Sequence, residues 1–331
     1  MEKINNIEIS NFKSIKHLKI DGCKKINVFV GMPNAGKSNT LEALGVFGKI
    51  LGYNNDNVRD FIRYKIASEL FFEENIAKNI CIKSNQESLN IILKENLEKN
   101  KEDYQHLDEG LNFNSSIFRS TYFIEDKKEL AKIKKYIFSA QSFRNSENKI
   151  ELDYPFGRNL VQVIVSNPEL RKKVNKLFRN NDLKLLIEKN TNELKIFKEY
   201  QDGTVFTLSY ELIADTLQRL IFYMAAIMSN KNAVLLFEEP EAHCFEPYIL
   251  EFTNAVKYDE NDNQFFIVTH SDFIIKEFLR DEESKENTNI YLVNNVNGET
   301  QVKLLEKDKN EDVYEYGMNV FFNFESLWET N

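Results

Sequence analysis

The octapeptide GMPNAGKS, residues 31 to 38, has the spacing of a loop that binds phosphate. It fits the pattern G-x-x-x-x-G-K-[ST] and lies between a predicted strand at residues 25 to 30 and a predicted helix that begins near Ser38. The glycines let such a loop curl until backbone N–H groups and the helix N-terminus face phosphate oxygens. We therefore expect Lys37 to reach the β- and γ-phosphates of a nucleotide and the hydroxyl of Ser38 to ligate Mg²⁺.

Two adjacent acids, Glu238 and Glu239, follow an apolar run in the stretch AVLLFEEPEAHCFEP, residues 233 to 247. Residues 233 to 237 are typical of a strand buried in a parallel sheet, and open α/β sheets bind ligands at the carboxyl ends of such strands. Because adjacent strand residues point to opposite sides, we expect Glu238 to face the water shell of the metal and Glu239 the attacking water. A solvated acidic loop is the alternative, since runs of charge usually face solvent.

Two other polar residues end predicted strands. His270 follows the apolar run in NQFFIVTH, and Gln141 ends YIFSAQ at residues 136 to 141. A single histidine after a strand is more often structural than functional. At the sheet edge where a γ-phosphate would lie, however, His270 is placed to sense that phosphate, and Gln141 can contact both a metal-bound water and the nucleophile.

The elements that must position these residues alternate between strand and helix. Apolar periodicity predicts an opening meander of strands at 7 to 12, 15 to 20 and 25 to 30, and then a helix with Leu41, Leu44 and Leu51 on one face. The later predicted elements are one or two helices within 154 to 178, a helix at 212 to 229, strands at 233 to 237 and 263 to 270, and hairpins around Asp202-Gly203 and Asn297-Gly298. This order predicts an α/β protein with a mainly parallel core sheet flanked by helices.

We expect a single head, residues 1–331, made of three parts. The nucleotide-binding core lobe comprises residues 1–54 and 230–331 with a strand near 134–141, the helical lobe 142–229, and an insertion 55–133.

The charged, Asn-rich segment at 94 to 114 of the insertion favours a short amphipathic helix in a surface lobe. A coiled-coil arm is the alternative, because Leu93, Leu97, Tyr104, Leu107 and Leu111 fall on a and d positions. Asn100 stands at one d position, however, and the register spans fewer heptads than the three to four that indicate a coiled coil.

Composition narrows the class of protein. The 331 residues, 42% of them hydrophobic, suffice for one large or two modest domains, and 52 acidic against 43 basic residues give a net charge of −9. That charge does not indicate nucleic-acid binding, although it leaves room for a local basic groove. The three cysteines, Cys23, Cys81 and Cys244, form no CxxC pair, which fits a reducing cytosol. The N-terminus lacks an apolar leader and no apolar stretch is long enough to span a bilayer, so we expect a cytoplasmic protein without a membrane partner.

The order of the motifs resembles the ABC-type ATPases of the RecF, SMC and OLD (overcoming lysogenization defect) group. The resemblance rests on a strand meander containing NFKSI, on GMPNAGKSNTLEAL, on a strand ending in Gln141, on LLFEEPEAH after a helix, and on a strand ending in His270. It extends from residue 7 to about residue 275, although the middle matches only in pieces. The resemblance implies a P-loop NTPase fold, hydrolysis of ATP with Mg²⁺, and two heads that sandwich ATP between them.

The resemblance also assigns roles to individual residues. Glu238 and Glu239 would be the Walker B pair, His270 the switch histidine, and Gln141 the Q-loop glutamine, so that Glu239, His270 and Gln141 form the catalytic set. The residues that would contact the nucleotide are Gly31, Asn34, Ala35, Gly36, Lys37, Ser38 and Asn39 of the Walker A loop, together with Lys13 of NFKSI. The metal would be held by Ser38, Glu238 and Gln141, and Glu241 and His243 would lie in the D-loop that crosses to the other subunit.

The segment that caps the partner's nucleotide departs from the family pattern, which is LSGGQ, or S-x-G-x-x-R in the OLD-like branch. In ELIADTLQRLIFY, Ala214 stands for the serine, Asp215 or Thr216 for the glycine, and Arg219 is retained. An acid beside a γ-phosphate is unfavourable, so turnover is expected to be slow. LSYE at 208 to 211 is a second placement, which ends a strand and lacks the glycine.

The subtype follows from what the chain lacks. No long heptad arm interrupts the head, and only about 60 residues follow His270, fewer than a typical domain has. We therefore expect neither an SMC arm nor the Toprim nuclease domain of a full OLD protein. What remains resembles the stand-alone ATPase subunits of bacterial anti-phage and abortive-infection systems.

The expected partners are a second copy of the chain, in a head-to-tail dimer or a higher oligomer, and a separately encoded effector such as a nuclease or toxin. Two alternatives stay open. One is a RecF-like repair ATPase that clamps duplex DNA, and the other is a nucleotide-gated scaffold with little turnover.

Overall fold

The computed structural model describes residues 3–51, 61–85, 87–93, 118–123, 132–139, 149–178, 183–188, 191 and 193–330 of the chain. Its strands are β1 (Asn6–Phe12), β2 (Ile15–Asp21), β3 (Ile26–Val30), β4 (Ile80–Ser84), β5 (Glu87–Leu93), β6 (Phe118–Phe123), β7 (Lys132–Tyr136), β8 (Lys184–Glu188), β9 (Glu193–Glu199), β10 (Val205–Ser209), β11 (Ala233–Glu238), β12 (Gln264–Val268), β13 (Thr288–Val296) and β14 (Glu299–Leu304). Its α-helices are α1 (Lys37–Leu51), α2 (Leu160–Ser166), α3 (Pro168–Phe178), α4 (Asp215–Ser229), α5 (Glu246–Lys257), α6 (Asp272–Leu279), α7 (Glu282–Glu286), α8 (Lys307–Tyr314) and α9 (Phe324–Thr330).

The chain divides into two compact units. The first comprises Met1–Lys135, Asn232–Glu238 and Gln264–Asn331, and the second comprises Tyr136–Lys231 and Glu239–Asn263. The first unit thus contains the predicted phosphate loop and Glu238, and the second begins its later segment at Glu239. Within the described residues, no helix is both long enough and apolar enough to cross a membrane.

The core sheet of the first unit has the strand order β14-β13-β3-β12-β11-β7 in the described chain. Strands β11, β12, β3 and β13 are mutually parallel, and β14 returns antiparallel to β13. A two-residue turn joins β13 to β14, with Asn297 at φ 53° and Gly298 at φ 87°, as a type I′ hairpin requires. The predictions of a mainly parallel core sheet and of this hairpin are confirmed.

Aromatic side chains fill the centre of this sheet. Phe29 of β3 stacks on Tyr291 of β13 with ring centroids 5.0 Å apart, and Phe237 of β11 stacks on Phe265 of β12 at 6.5 Å. All five residues of β3 and of β12 are buried, which explains why these strands are continuous apolar runs. The rigid centre fixes the strand ends that carry the polar residues.

The opening meander differs from the prediction in its third strand. β1 and β2 form an antiparallel pair, but β3 belongs to the core sheet, and β1 pairs on its other side with β4. β4, β5 and β6 come from the segment predicted as an insertion and complete a sheet of order β2-β1-β4-β5-β6 among the described residues. The burial patterns give the reason: β1 and β2 alternate, as strands with one buried face do, whereas β3 is buried on both faces.

The predicted strand at 136 to 141 lies earlier, as β7 at Lys132–Tyr136. The backbone N–H of Ile137 donates to the carbonyl of Pro155 at 2.8 Å, so this donor is used outside the core sheet. Gln141 lies outside the described residues. Residues 94 to 114, for which we considered an amphipathic helix and a coiled coil, lie outside them as well.

Helix α1 approaches β7 closely because it carries glycines at 45 and 48. A Cβ atom added at Gly48 would lie 2.4 Å from Cβ and 2.6 Å from the carbonyl oxygen of Ile133. A Cβ added at Gly45 would make only ordinary contacts with side chains, 3.4 Å from Cδ of Lys135 and 3.8 Å from Cδ1 of Phe61. Glycine within a helix is unfavourable by about 1 kcal/mol relative to alanine, so the close packing offsets this cost at position 48.

We expect Gly48→Ala to lower the free energy of unfolding by about 1–3 kcal/mol, because the new methyl group forces α1 away from β7. Urea denaturation monitored by circular dichroism measures this difference. Gly45→Ala is the matched control on the same helix, and its higher helix propensity is expected to leave stability unchanged or raised. Equal losses for both variants would show that contact with Ile133 is not the cause.

The second unit holds helices α2 to α5 and the described antiparallel sheet β10-β9-β8. In α4 every residue from Leu220 to Ile227 is buried, and Tyr223 packs edge-to-face on Phe252 of α5 at 5.7 Å. The predicted hairpin around Asp202-Gly203 is confirmed as the β9–β10 turn. The helix predicted at 212 to 229 begins at Asp215, after a 3₁₀ turn at Tyr210–Leu212, since the backbone at Ile213 is extended.

Candidate nucleotide-binding site

The carboxyl ends of three parallel strands lie at one edge of the core sheet. In the strand register Glu238 of β11 is opposite Val268 of β12, which is opposite Phe29 of β3. Gly31 lies two residues after Phe29, and His270 lies two residues after Val268. The structure therefore brings the start of the phosphate loop, Glu238 and the backbone of His270 to the same edge, as the sequence predicted.

The loop between β3 and α1 is curled around the amine of Lys37. This side chain is 5% exposed, and its Nζ donates to the carbonyls of Gly31 and Met32, at 2.9 Å each. Asn34 and Gly36 adopt positive φ values of 61° and 95°. Successive backbone turns of this kind form a concave row of N–H groups that suits an anion.

Two positions of the loop admit only glycine. A Cβ at Gly31 would lie 2.0 Å from the carbonyl oxygen of Val293, and one at Gly36 would lie 1.9 Å from Oγ1 of Thr300. Both neighbours are on the β13–β14 hairpin. The glycines of the pattern are thus explained by close packing against this hairpin as well as by the curl of the loop.

A hydroxyl network behind the loop was not predicted from the sequence. The hydroxyl of Thr300 donates to the carbonyl of Ala35 at 3.1 Å and contacts the hydroxyl of Ser14 at 2.7 Å. The side-chain amide of Asn39 donates to Ser14 at 2.6 Å, so this predicted nucleotide contact holds the loop from behind. Ser14 follows Lys13 in NFKSI, and no local pattern distinguishes it or Thr300 from an ordinary polar surface residue.

Thr300→Val is expected to weaken ATP binding by roughly three- to tenfold, because it removes about 1 kcal/mol of hydrogen bonding that holds the loop. Isothermal titration calorimetry with a non-hydrolysable analogue measures the change. Thr253→Val is the matched control, since Thr253 is also buried and donates to a backbone carbonyl, that of Leu250 in α5. An unchanged affinity in Thr300→Val would show that the network does not hold the loop in its binding form.

The carboxylate of Glu238 is surrounded by polar partners. Lys135 Nζ lies 3.1 Å from Oε2, Arg63 Nη2 lies 3.0 Å from Oε1, and the hydroxyl of Ser38 is close enough to favour the ionised form. Burial opposes ionisation, but Lys135, Ser38 and Arg63 together hold the pKa of Glu238 below its ordinary value. Glu238 is therefore ionised at neutral pH and contacts the hydroxyl that the sequence assigned to the metal.

This donor set fits Mg²⁺, a hard cation that prefers oxygen ligands and is held by one or two carboxylates together with phosphates and water. Ser38 and Glu238 would hold the ion, which would shield phosphate charge. The described residues contain no cluster of three or more His, Cys, Asp or Glu side chains suited to a metal. A magnesium ion at Ser38 and Glu238 therefore depends on phosphate and water for its other ligands.

Lys13 lies in a chain of ion pairs that leads to this carboxylate. Its amine contacts Oε2 of the buried Glu42 on α1, and Arg63 Nε lies 2.8 Å from Oε1 of the same residue. Burial lowers the pKa of the Lys13 amine, and Glu42 offsets only part of that effect. Through Glu42 and Arg63, Lys13 is connected to Glu238, and its direct contact with a nucleotide stays a prediction.

His270 is exposed at the sheet edge. Its ring stacks on Phe321 with centroids 6.2 Å apart, and the following Ser271 caps α6 by accepting from the N–H of Ile274 at 3.3 Å. The segment containing Phe321 is fixed to the same helix, because the N–H of Val320 donates to Asp272 at 3.2 Å. The C-terminal segment thus contributes an aromatic neighbour to His270 that the sequence did not indicate.

Glu239 differs from the prediction in its backbone. Strand β11 ends at Glu238, and Glu239 is exposed with a φ of 45°, in the left-handed region that non-glycine residues seldom adopt. The expectation that strand alternation separates the two acids is therefore wrong, and a sharp turn separates them instead. A strained residue of this kind is frequently functional.

The predicted signature segment and D-loop are joined within the second unit. Thr216 Oγ1 donates to the carbonyl of His243 at 2.7 Å. Asp215 forms a 2.7 Å ion pair with Arg219, whose guanidinium also lies over the ring of Phe138 at 4.6 Å. Ala214 is the N-cap of α4 and makes no side-chain capping bond, while Glu241 lies in the turn between Glu239 and His243.

A parallel sheet with a P-loop after one strand and an acid at the end of another defines the class of P-loop nucleotide phosphatases. The family described as "AAA domain, putative AbiEii toxin, Type IV TA system" matches residues 26–276, and the chain belongs to this family. The protein is thus an ATPase, and its mixed, mainly parallel sheet has the ABC-type head fold that the sequence predicted.

Three relatives illustrate the range of similarity. An ATP/GTP phosphatase of Helicobacter pylori is 24% identical over 345 residues, covering 87% of this chain and 91% of the relative. The DNA replication and repair protein RecF of Oenococcus oeni is 31% identical over 61 residues, 18% of this chain and 16% of RecF. The Smc head domain of Pyrococcus furiosus, solved with the C-terminal domain of ScpA, superposes with a TM-score of 0.53 at 16% identity, covering 96% of this chain and 99% of that one.

Proposed function

We propose that the protein is an ATPase subunit that dimerises or oligomerises and regulates a separately encoded effector, a nuclease or toxin, in bacterial anti-phage defence. The observation that carries this proposal is the family match, whose description refers to AbiEii and to a type IV toxin–antitoxin system. The similarity to an ATP/GTP phosphatase over most of both chains supports hydrolysis as the activity.

In the proposed reaction, Lys37 and the loop N–H groups bind the phosphates of ATP. Ser38 and Glu238 would hold Mg²⁺, which would supply positive charge to offset that of the phosphates. Glu239 accepts the proton of the attacking water, and His270 contacts the γ-phosphate. Gln141, which lies outside the described residues, is proposed as a second contact to metal and water.

The signature segment would cap ATP bound to a second copy of the chain. Asp215, the first residue of α4, would repel a γ-phosphate at this position if its negative charge had no partner. Its ion pair with Arg219 compensates that charge, which supports capping in spite of the altered sequence. Because Asp215 engages Arg219, the arginine that the family pattern retains, we propose that turnover of ATP is slow.

Co-purification tests the effector proposal. The chain is expressed with the product of the adjacent open reading frame, and the complex is isolated with ATP, with ADP and without nucleotide. We expect a nuclease or toxin to be retained in a nucleotide-dependent manner, and Lys37→Ala to remove that dependence. Arg158→Ala is the control, since Arg158 is an exposed surface residue outside the predicted site. Neighbouring replication genes, or a neighbour that never binds, would contradict the proposal.

A RecF-like repair ATPase is the second candidate, supported by the local similarity to RecF over 61 residues. This function requires binding to duplex DNA, whose affinity falls with salt by a slope of about −0.9 per phosphate contacted. Fluorescence anisotropy with a labelled duplex at several salt concentrations distinguishes the two functions. Tight binding with a steep slope would favour repair, and no binding at low salt would exclude it.

A further inference from the structure

Both carboxylate oxygens of Glu238 are occupied by cationic side chains. Arg63 Nη2 lies 3.0 Å from Oε1, and Lys135 Nζ lies 3.1 Å from Oε2. The nearby hydroxyl of Ser38 in the phosphate loop also favours the ionised form of this carboxylate. The protein thus supplies, from its own side chains, positive charge at the position where Mg²⁺ is expected.

Lys135 is built into this position. Its side chain is only 2% exposed, and a buried ammonium requires a fixed anionic partner. The stem of Lys135 packs beside Gly45 of α1, where an added Cβ would lie 3.4 Å from its Cδ and 3.5 Å from its Cβ. The buried lysine thus lies between Glu238 and the helix that begins at Lys37.

The charges of the surrounding cluster do not balance. Its cations are Lys13, Lys37, Arg63 and Lys135, and its anions are Glu42 and Glu238. Among these six described residues the cations exceed the carboxylates by two, in a partly buried place where charges act strongly. Such a site attracts a nucleotide polyphosphate without requiring a metal ion to neutralise it first.

We propose that Lys135, supported by Arg63, lets the protein bind ATP before Mg²⁺, and that Mg²⁺ then displaces Lys135 from Glu238. Lys135 is a positioning residue in this scheme, because it acts through Glu238. The inference rests on the nucleotide site proposed above and adds the order in which the two ligands enter. This order of binding requires that Mg²⁺ changes the affinity of the wild-type protein for ATP only weakly.

The test measures equilibrium binding of a non-hydrolysable ATP analogue by calorimetry, in excess EDTA and in saturating MgCl₂. The wild-type affinities are expected to differ by less than about tenfold. In Lys135→Met the affinity in EDTA should fall by at least about tenfold while the affinity in MgCl₂ changes by less than about threefold. Lys135→Arg retains the charge and should restore the wild-type ratio.

Lys134→Met is the matched control, because it removes a buried lysine from the adjacent position of β7, whose side chain points the other way. It should leave the ratio of the two affinities unchanged. Arg63→Gln provides a second variant that does not depend on tolerance of a core change, since this side chain is 70% exposed. It should shift the ratio in the same direction as Lys135→Met.

If the wild-type protein binds the ATP analogue in MgCl₂ but not in EDTA, the inference is overturned and the ATPase proposal stays intact. Equal losses in EDTA and in MgCl₂ for Lys135→Met and Arg63→Gln would also overturn it, since they would indicate a purely structural role. Absence of binding under both conditions in the wild type would contradict the nucleotide site itself.

Discussion

Lys37→Ala is expected to abolish measurable nucleotide binding. The amine is 5% exposed, and the loop is folded around it through the carbonyls of Gly31 and Met32. Removing it takes away a charge-assisted contact to the phosphates and the group that holds the loop. Hydrogen bonds to charged groups contribute about 1.5–3 kcal/mol each, so the loss of two corresponds to at least about a 100-fold weaker affinity.

Calorimetry with ATP analogue in MgCl₂ measures this loss. Lys16→Ala is the control, because Lys16 is an exposed lysine on β2 that pairs with Glu299 at 2.6 Å, outside the phosphate loop. Circular dichroism melting shows whether the Lys37 variant is folded. We expect it to fold, because water can hydrogen-bond to the carbonyls of Gly31 and Met32 once the amine is gone. A folded Lys37→Ala protein whose affinity stays within about threefold of wild type would remove the loop from its assigned role.

The parts of the site that the sequence predicted are those encoded locally. The phosphate loop is a contiguous pattern, and its position between β3 and α1 follows from apolar periodicity on either side. Glu238 was found because a strand buried on both faces ends in an acid, and parallel strands bring such ends to one edge. Each of these inferences uses residues that are close in sequence.

The parts that were missed depend on pairs that are distant in sequence. Thr300 and Ser14 are separated by 286 positions and meet only because β14 lies beside β2. Arg63 reaches Glu238 across 175 positions. Lys135 is one of three lysines in β7, the first of which is exposed, and the glycines at 45 and 48 marked the close approach of α1 to β7. Neither signal identifies the partner, because the partner is set by tertiary packing.

The assignment of β3 shows how burial decides topology. Sequence order placed it after β1 and β2 in one meander, since consecutive strands usually pair. Its unbroken apolar character was the better indicator, because a strand buried on both faces belongs at the centre of a sheet covered on both sides. In its place β4, whose burial alternates, pairs antiparallel with β1.

Glu239→Gln is expected to reduce ATP turnover by at least about 100-fold and to trap an ATP-bound dimer. The amide retains the size of the side chain and its hydrogen bonding but cannot accept the proton of the attacking water, a function that typically contributes 10²–10⁴-fold. The substitution does not relieve the left-handed backbone at Glu239, because Gln has the same Cβ geometry, so stability should be nearly unchanged.

Steady-state phosphate release and size-exclusion chromatography with ATP measure the two effects. Glu246→Gln is the control, since Glu246 is an exposed acid at the start of α5 seven positions further on. It should hydrolyse ATP and elute as the wild type does. If wild type and Glu239→Gln hydrolyse ATP equally slowly, Glu239 is not the base. The nucleotide-gated scaffold would then be the better description, because the altered signature segment would bind ATP across the dimer without completing its hydrolysis.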